Sequence, residues 1–198
     1  MIGIIDSKIC NIYSLTNMLK KLNADFIIFD NPENIQSVDR IILPGVGAFP
    51  KAMENLSKSG LKDAIIQFAR SGKPVLGICL GMQLLFDKST EFGISEGLGL
   101  IPGEIIKIKT DLVLPHIGWN DLSIKPGCKI LERVDNGADV YFVHSYRAET
   151  DTKYIAATTN YGELIPAVVY KDNVYGAQFH PEKSMKWGEI ILSNFIKL

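Results

Sequence analysis

The chain has 198 residues, of which 46% are hydrophobic and 22% charged, and its formal net charge is −1. That composition fits a single globular domain over 1–198, and the near-zero charge excludes a broad field for nucleic acid or an anionic membrane surface. No apolar run reaches the roughly 18 residues that a membrane span needs. Met1-Ile2-Gly3-Ile4-Ile5-Asp6 has no basic leader ahead of an apolar stretch, so a cytoplasmic protein is expected. The three cysteines (Cys10, Cys79 and Cys128) form no CxxC pair, which points away from a disulfide framework or a structural zinc, and no metal is expected.

In chain order, Gly3-Ile4-Ile5 reads as a short strand and Ile12, Leu15, Met18, Leu19 and Leu22 carry helical spacing. Phe26 to Phe29 and Arg40 to Leu43 are the next strands, closed by Asp30-Asn31-Pro32 and Pro44-Gly45. A helix is predicted from Leu56 to Arg70, then a buried strand over Pro74 to Ile78 and a short helix over Leu80 to Phe86. Beyond these, strands without intervening helices are predicted near 104–109, 112–118, 139–146, 153–159, 165–170 and 174–179, with a closing helix over 186–198. Uninterrupted apolar strands separated by helices favour a parallel sheet covered on both faces. The second half adds antiparallel strands, so an α/β fold with a mixed, mostly parallel sheet is expected.

Gly77-Ile78-Cys79-Leu80-Gly81 has the form glycine, any residue, nucleophile, any residue, glycine, set between a buried strand and a helix. A turn of this kind holds the nucleophile in a strained conformation and aims it out of the sheet. The start of a helix also favours a thiolate, and the Leu80 N–H is a ready donor to an oxyanion. An inert buried cysteine at a glycine-rich strand end is the alternative, and the glycines on both sides weigh against it. A cysteine nucleophile needs an imidazole to carry its proton, and the imidazole needs an anion to orient it. Of the histidines His116, His144 and His180, only His180 has a carboxylate close by, in Gln178-Phe179-His180-Pro181-Glu182-Lys183-Ser184 at a strand end. A solvated His-Pro-Glu turn is the common alternative, and it is the pairing with the elbow about 100 residues earlier that gives the tripeptide weight.

These two motifs resemble the class I (triad) glutamine amidotransferases. Within that family, the match is to the branch serving a cyclase that makes imidazole glycerol phosphate in histidine biosynthesis. It is carried by Pro44-Gly45-Val46-Gly47-Ala48-Phe49, Gly72 to Leu85, Glu96 to Gly103, Pro115-His116-Ile117-Gly118-Trp119-Asn120, Tyr141-Phe142-Val143-His144-Ser145-Tyr146 and Gln178 to Ser184. The resemblance implies a flavodoxin-like amidotransferase fold that hydrolyses L-glutamine without a cofactor, in a heterodimer with a (β/α)8-barrel cyclase/synthase subunit. It implies Cys79 as nucleophile, His180 as acid–base, Glu182 as its orienter, and the amides of Val46 and Leu80 as oxyanion donors. Gly45, Gly47, Gln83, Glu91, His144, Ser145 and Tyr146 are implied around the glutamine, and Asn11, Trp119 and Tyr141 at the partner face. For His144 a structural role at a strand end fits as well, and Trp119 also fits core packing.

One stretch departs from the family. Where its members carry Asp-Tyr-Gly-x-Gly-Asn, this chain has Asp6-Ser7-Lys8-Ile9-Cys10-Asn11, with neither glycine. Loss of easy positive φ implies another path for a loop that faces the partner. The departure leaves one alternative to the histidine-pathway glutaminase, a paralogue feeding a sugar-modifying amidotransferase in surface polysaccharide synthesis. Two rivals of other classes are a free-standing cysteine hydrolase and a non-catalytic binding subunit, the latter opposed by the intact Cys79, His180 and Glu182. Cys10 and Cys128 have no base in view and read as structural.

Overall fold

The computed structural model describes residues 1–8 and 12–198, so Asn11 and Cys10 lie outside the described residues. The first half alternates strand and helix: β1 (Ile2–Ile5), α1 (Ile12–Lys21), β2 (Phe26–Phe29), β3 (Arg40–Gly45), α2 (Phe49–Lys58), α3 (Leu61–Arg70), β4 (Val75–Cys79) and α4 (Leu80–Leu84). Then come β5 (Lys88–Ser89), β6 (Ser95–Glu96), β7 (Glu104–Lys107), β8 (His116–Asp121), β9 (Ser123–Ile124), β10 (Asp139–His144), β11 (Tyr146–Glu149), β12 (Ile155–Asn160), β13 (Leu164–Lys171), β14 (Val174–Ala177) and α5 (Met185–Ile196).

The main sheet has eight strands in the order β2-β1-β3-β4-β14-β13-β12-β9. Its first five strands run parallel and the last three add antiparallel, the mixed architecture expected from the sequence. Strand alternation sorts the core onto two faces. Ile42, Leu76 and Ile78 point toward α1 and α5, packing with Leu15, Leu19, Ile191, Leu192 and Phe195. Ile41, Leu43 and Val75 point the other way, against Phe49, Met53 and Leu56 of α2 and Ile65 and Phe68 of α3. Fully burying each such side chain contributes about 1.5–3 kcal/mol.

Three predicted elements come out differently. The single helix over 56–70 is two helices: Gly60, with φ of 76°, is the left-handed N-cap that ends one and starts the next. Its first half begins earlier, at Phe49, because Pro50 sits in the first turn, where the missing N–H costs nothing. The strand expected at 112–118 is β8 at His116–Asp121, since Pro115 has no N–H to give a ladder. The strand expected at 139–146 is split at Ser145: β10 pairs with β8 in a two-stranded ribbon, while β11 joins the small sheet β11-β7-β5-β6.

Candidate active site

The parallel strands β3 and β4 end side by side, with Gly45 opposite Cys79 in the register. The chain turns at once from β4 into α4, and Cys79 takes φ 53°, ψ −110°, a conformation that side-chain-bearing residues avoid. The flanking glycines make this possible. A Cβ on Gly77 would lie 2.5 Å from the Gly81 carbonyl oxygen, and one on Gly81 would lie 1.7 Å from the Leu43 carbonyl oxygen. Gly45 packs against Leu80, where a Cβ would stand 3.1 Å from the leucine Cβ. Sequence spacing and three-dimensional contact agree: no side chain fits where β3, β4 and α4 meet.

β14 lies beside β4 in parallel, so the chain leaving it delivers His180 to the same sheet edge. A ring of three hydrogen bonds ties that residue's backbone to Tyr141 and Ser184. Its N–H donates to the Tyr141 carbonyl (2.9 Å), the Tyr141 N–H donates to Ser184 Oγ (3.0 Å), and the Ser184 hydroxyl donates to the His180 carbonyl (2.7 Å). His180 Nδ1 lies 2.8 Å from Glu182 Oε1, and both side chains are buried. The other ring nitrogen, Nε2, is buried and makes no hydrogen bond of proper geometry among the described residues. Burial alone would push the imidazole toward neutrality, but a thiolate at Cys79 and the Glu182 carboxylate outweigh it and raise the His180 pKa to about 10. An imidazolium at neutral pH is the proton source that a departing amine requires.

Cys79 and His180 open into a cavity of about 700 Å³. Val46, Gly47 and Leu80 line it at the elbow, and Val46 is 40% exposed there. Gln83, Glu91 and the bend His144-Ser145-Tyr146 form further wall. Glu91 and Lys107 both line this cavity, and their opposite charges complement the α-ammonium and α-carboxylate of an amino acid. Glu91 is itself tied down, its Oε2 accepting the Phe49 N–H at 2.8 Å where α2 begins. Gly45 lines an adjoining cavity of about 220 Å³ with Pro44, Ile78, Glu182 and Lys183, and this cavity shares Val46 and His180 with the first.

Trp119 lies outside the cavity, 47% exposed, with its ring 6.0 Å from that of Tyr141 in edge-on contact. Gln178 was not singled out by sequence reasoning. It is fully buried, accepts from Gln83 Nε2 at 3.1 Å, and brings its own Nε2 to 3.9 Å from the Cys79 sulfur. Its place two residues before His180 was the only signal. Nothing in the sequence marked Lys107, Phe92 or the Val143 carbonyl, which stands 3.8 Å from the same sulfur. Cys128 is buried away from this site, and burial pushes its thiol up to about 11, which leaves it inert.

Comparison with known proteins bears directly on this arrangement. Residues 3–198 match the family model "Glutamine amidotransferase class-I". The chain is 47% identical over 195 residues (98% of this chain, 93% of the relative) to "Imidazole glycerol phosphate synthase subunit HisH" of Bacillus cytotoxicus. It is 46% identical over 198 residues (100% and 94%) to the protein of that name from Desulfitobacterium hafniense. Among solved structures, a glutamine amidotransferase superposes with a TM-score of 0.78 at 16% identity, covering 99% of this chain and 97% of that one. A chain of PurLQS from Thermotoga maritima gives 0.74 at 17% identity, covering 99% and 97%. At those identities the superpositions establish the fold alone, whereas the family match and the relatives establish kinship along the whole chain. The chain belongs to the class-I glutamine amidotransferase family.

Proposed function

We propose that this chain, read as one glutaminase domain, is the glutaminase subunit of an imidazole glycerol phosphate synthase, hydrolysing L-glutamine and passing ammonia to a (β/α)8-barrel cyclase partner. The observation that carries the chemistry is the buried His180–Glu182 pair, 2.8 Å apart, opening into the same cavity as the strained Cys79. Near identity in length and 47% sequence identity to the histidine-pathway subunit of Bacillus cytotoxicus support the pathway.

In this reading the Cys79 thiolate adds to the carboxamide carbon of glutamine, and the amides of Val46 and Leu80 hold the resulting oxyanion. The His180 imidazolium gives its proton to the amide nitrogen as the C–N bond breaks, releasing ammonia and leaving a γ-glutamyl thioester. Water then loses a proton to the neutral His180 as it adds to the thioester, and collapse returns the thiolate, the imidazolium and glutamate. Glu182 keeps the imidazole in one orientation throughout. No step calls for a metal or organic cofactor. The wall formed by Glu91, Gln83 and the 144–146 bend holds the amino-acid end, and Trp119 and Tyr141 meet the partner.

The test is reconstitution. Mixed with the cyclase subunit of a histidine pathway, the chain is expected to release glutamate and drive imidazole glycerol phosphate formation from glutamine, with the cyclase alone using only ammonia. Glutamine-driven synthesis with a sugar-modifying synthase, and none with the cyclase, would overturn the pathway assignment.

A further inference from the structure

His116 takes no part in the chemistry above, yet its ring is held more tightly than any bystander requires. It is buried on β8, stacked between Tyr161 (ring centroids 3.9 Å apart) and Phe142 (4.8 Å). The β8–β10 register sets it opposite His144, and its Nδ1 lies 3.1 Å from His144 Nε2. The direction of that bond can be deduced. His144 Nδ1 is 2.8 Å from the Tyr146 carbonyl, which can only accept, so Nδ1 carries the proton. His144 Nε2 is then an acceptor, and His116 Nδ1 must be the donor. His116 Nε2 is left to face Asn120 Nδ2 at 3.5 Å.

Burial favours the neutral form of both rings. Burial pushes His116 down, and burial, with the nearby charges of His116 and His180, takes His144 down to about 4 against the pull of the Tyr146 carbonyl. The hydrogen bonds therefore run one way, from His116 through His144 to the Tyr146 carbonyl. That same carbonyl accepts from Gln83 Nε2 at 3.1 Å, and Gln83 continues through Gln178 to the Cys79 sulfur. The backbone so tethered is the bend from Val143 to Tyr146, where β10 leaves the ribbon and β11 enters another sheet. Val143 and His144 are paired with β8 and Tyr146 with β7, and the Ser145 carbonyl between them accepts the Ile108 N–H at 3.0 Å, so the side-chain ties add to backbone pairing where the chain passes from one sheet to the other.

We propose that His116 is a positioning residue. By fixing the tautomer and orientation of His144, it sets the path of the Val143–Tyr146 backbone along the glutamine cavity and hence the affinity for glutamine. This rests on the reading of that cavity as the glutamine site. His116→Phe keeps an aromatic ring between Phe142 and Tyr161 and removes the 3.5 Å contact to Asn120 together with the donor. His116→Asn places an amide N–H near the Nδ1 position and restores it.

The experiment measures glutamate release by the chain assembled with its synthase partner, over a range of glutamine concentrations. KM for glutamine is expected to rise about tenfold in His116→Phe with kcat within threefold of the parent, and His116→Asn is expected to return KM to within threefold. A KM within twofold of the parent in His116→Phe, or the same rise in both variants, would overturn the proposal. A parent complex that releases no glutamate would instead overturn the reading of the cavity, and the proposal with it. The unsubstituted protein supplies a second readout, independent of folding in any variant. Nitrogen-15 NMR is expected to show His144 protonated at Nδ1 and bare at Nε2 at neutral pH, and the opposite tautomer would refute the relay.

Discussion

Replacing Cys79 by alanine is expected to lower glutamine hydrolysis by at least about a thousandfold, because it removes the atom that forms the thioester. The loss is confined to one half of the reaction. Synthesis by the partner from added ammonia should continue at the parent rate, since nothing in the ammonia-using step depends on this sulfur. Comparing glutamine-driven with ammonia-driven product formation in the same assembled complex separates this outcome from misfolding, which would disturb both. The variant carries a second signature. With the thiolate gone, His180 loses the partner that does most to hold it charged, so its pKa should fall well below about 10. The imidazole resonances would follow that change directly, and a His180 that stayed charged to the same pH would show that Glu182 alone holds the proton.

Gly81→Ala is expected to be the most damaging single methyl that can be added to the elbow. The new Cβ would lie 1.7 Å from the Leu43 carbonyl oxygen, a backbone atom of a central strand that cannot swing aside. Relief requires β3 and α4 to separate, which opens the core around Leu43 and Leu80 and should destabilise the fold by roughly 3 kcal/mol or more. Gly72→Ala is the informative comparison. Gly72 has φ of 84°, but an added methyl group would meet no atom within 4 Å, so only the left-handed backbone is penalised, at about 1–2 kcal/mol. Urea unfolding of the two variants measures the difference. Whatever fraction of Gly81→Ala folds should also lose glutaminase activity, because the displaced helix carries Leu80 and the Cys79 backbone with it. Equal midpoints for the two variants would mean that the elbow is not close-packed.

Both effects were legible in the sequence, and for the same reason. A glycine on each side of Cys79 states locally that backbone must approach backbone, and His180-Pro181-Glu182 states locally that an imidazole has a carboxylate within two residues. The parallel strands were equally readable, since Ile41-Ile42-Leu43 and Val75-Leu76 are apolar on both faces and end in turn residues. What the sequence hid was whatever depends on strands meeting at a distance. Nothing around His116 or His144 announces that they face each other, because no short turn links β8 to β10 and so none fixes the register. Gln178 reads as one more residue of an apolar strand until its neighbour Gln83 is in place. The helix at Phe49–Lys58 was concealed by its own start, where two glycines and Pro50 suggest a loop although Phe49, Ala52, Met53 and Leu56 keep helical spacing. Trp119 shows the remaining gap: its sequence context fitted core packing as well as an interface, and the fold leaves it exposed beside Tyr141.

The pairing of Cys79 with His180 is tested most directly by covalent trapping. An electrophilic glutamine analogue, incubated with the assembled complex and followed by peptide mass spectrometry, is expected to give a single adduct on the Cys79 peptide. The adduct should form far more slowly in His180→Ala, where no imidazole is present to take the thiol proton. An adduct on Cys10 or Cys128 with Cys79 untouched, or labelling of Cys79 at the same rate without His180, would contradict it.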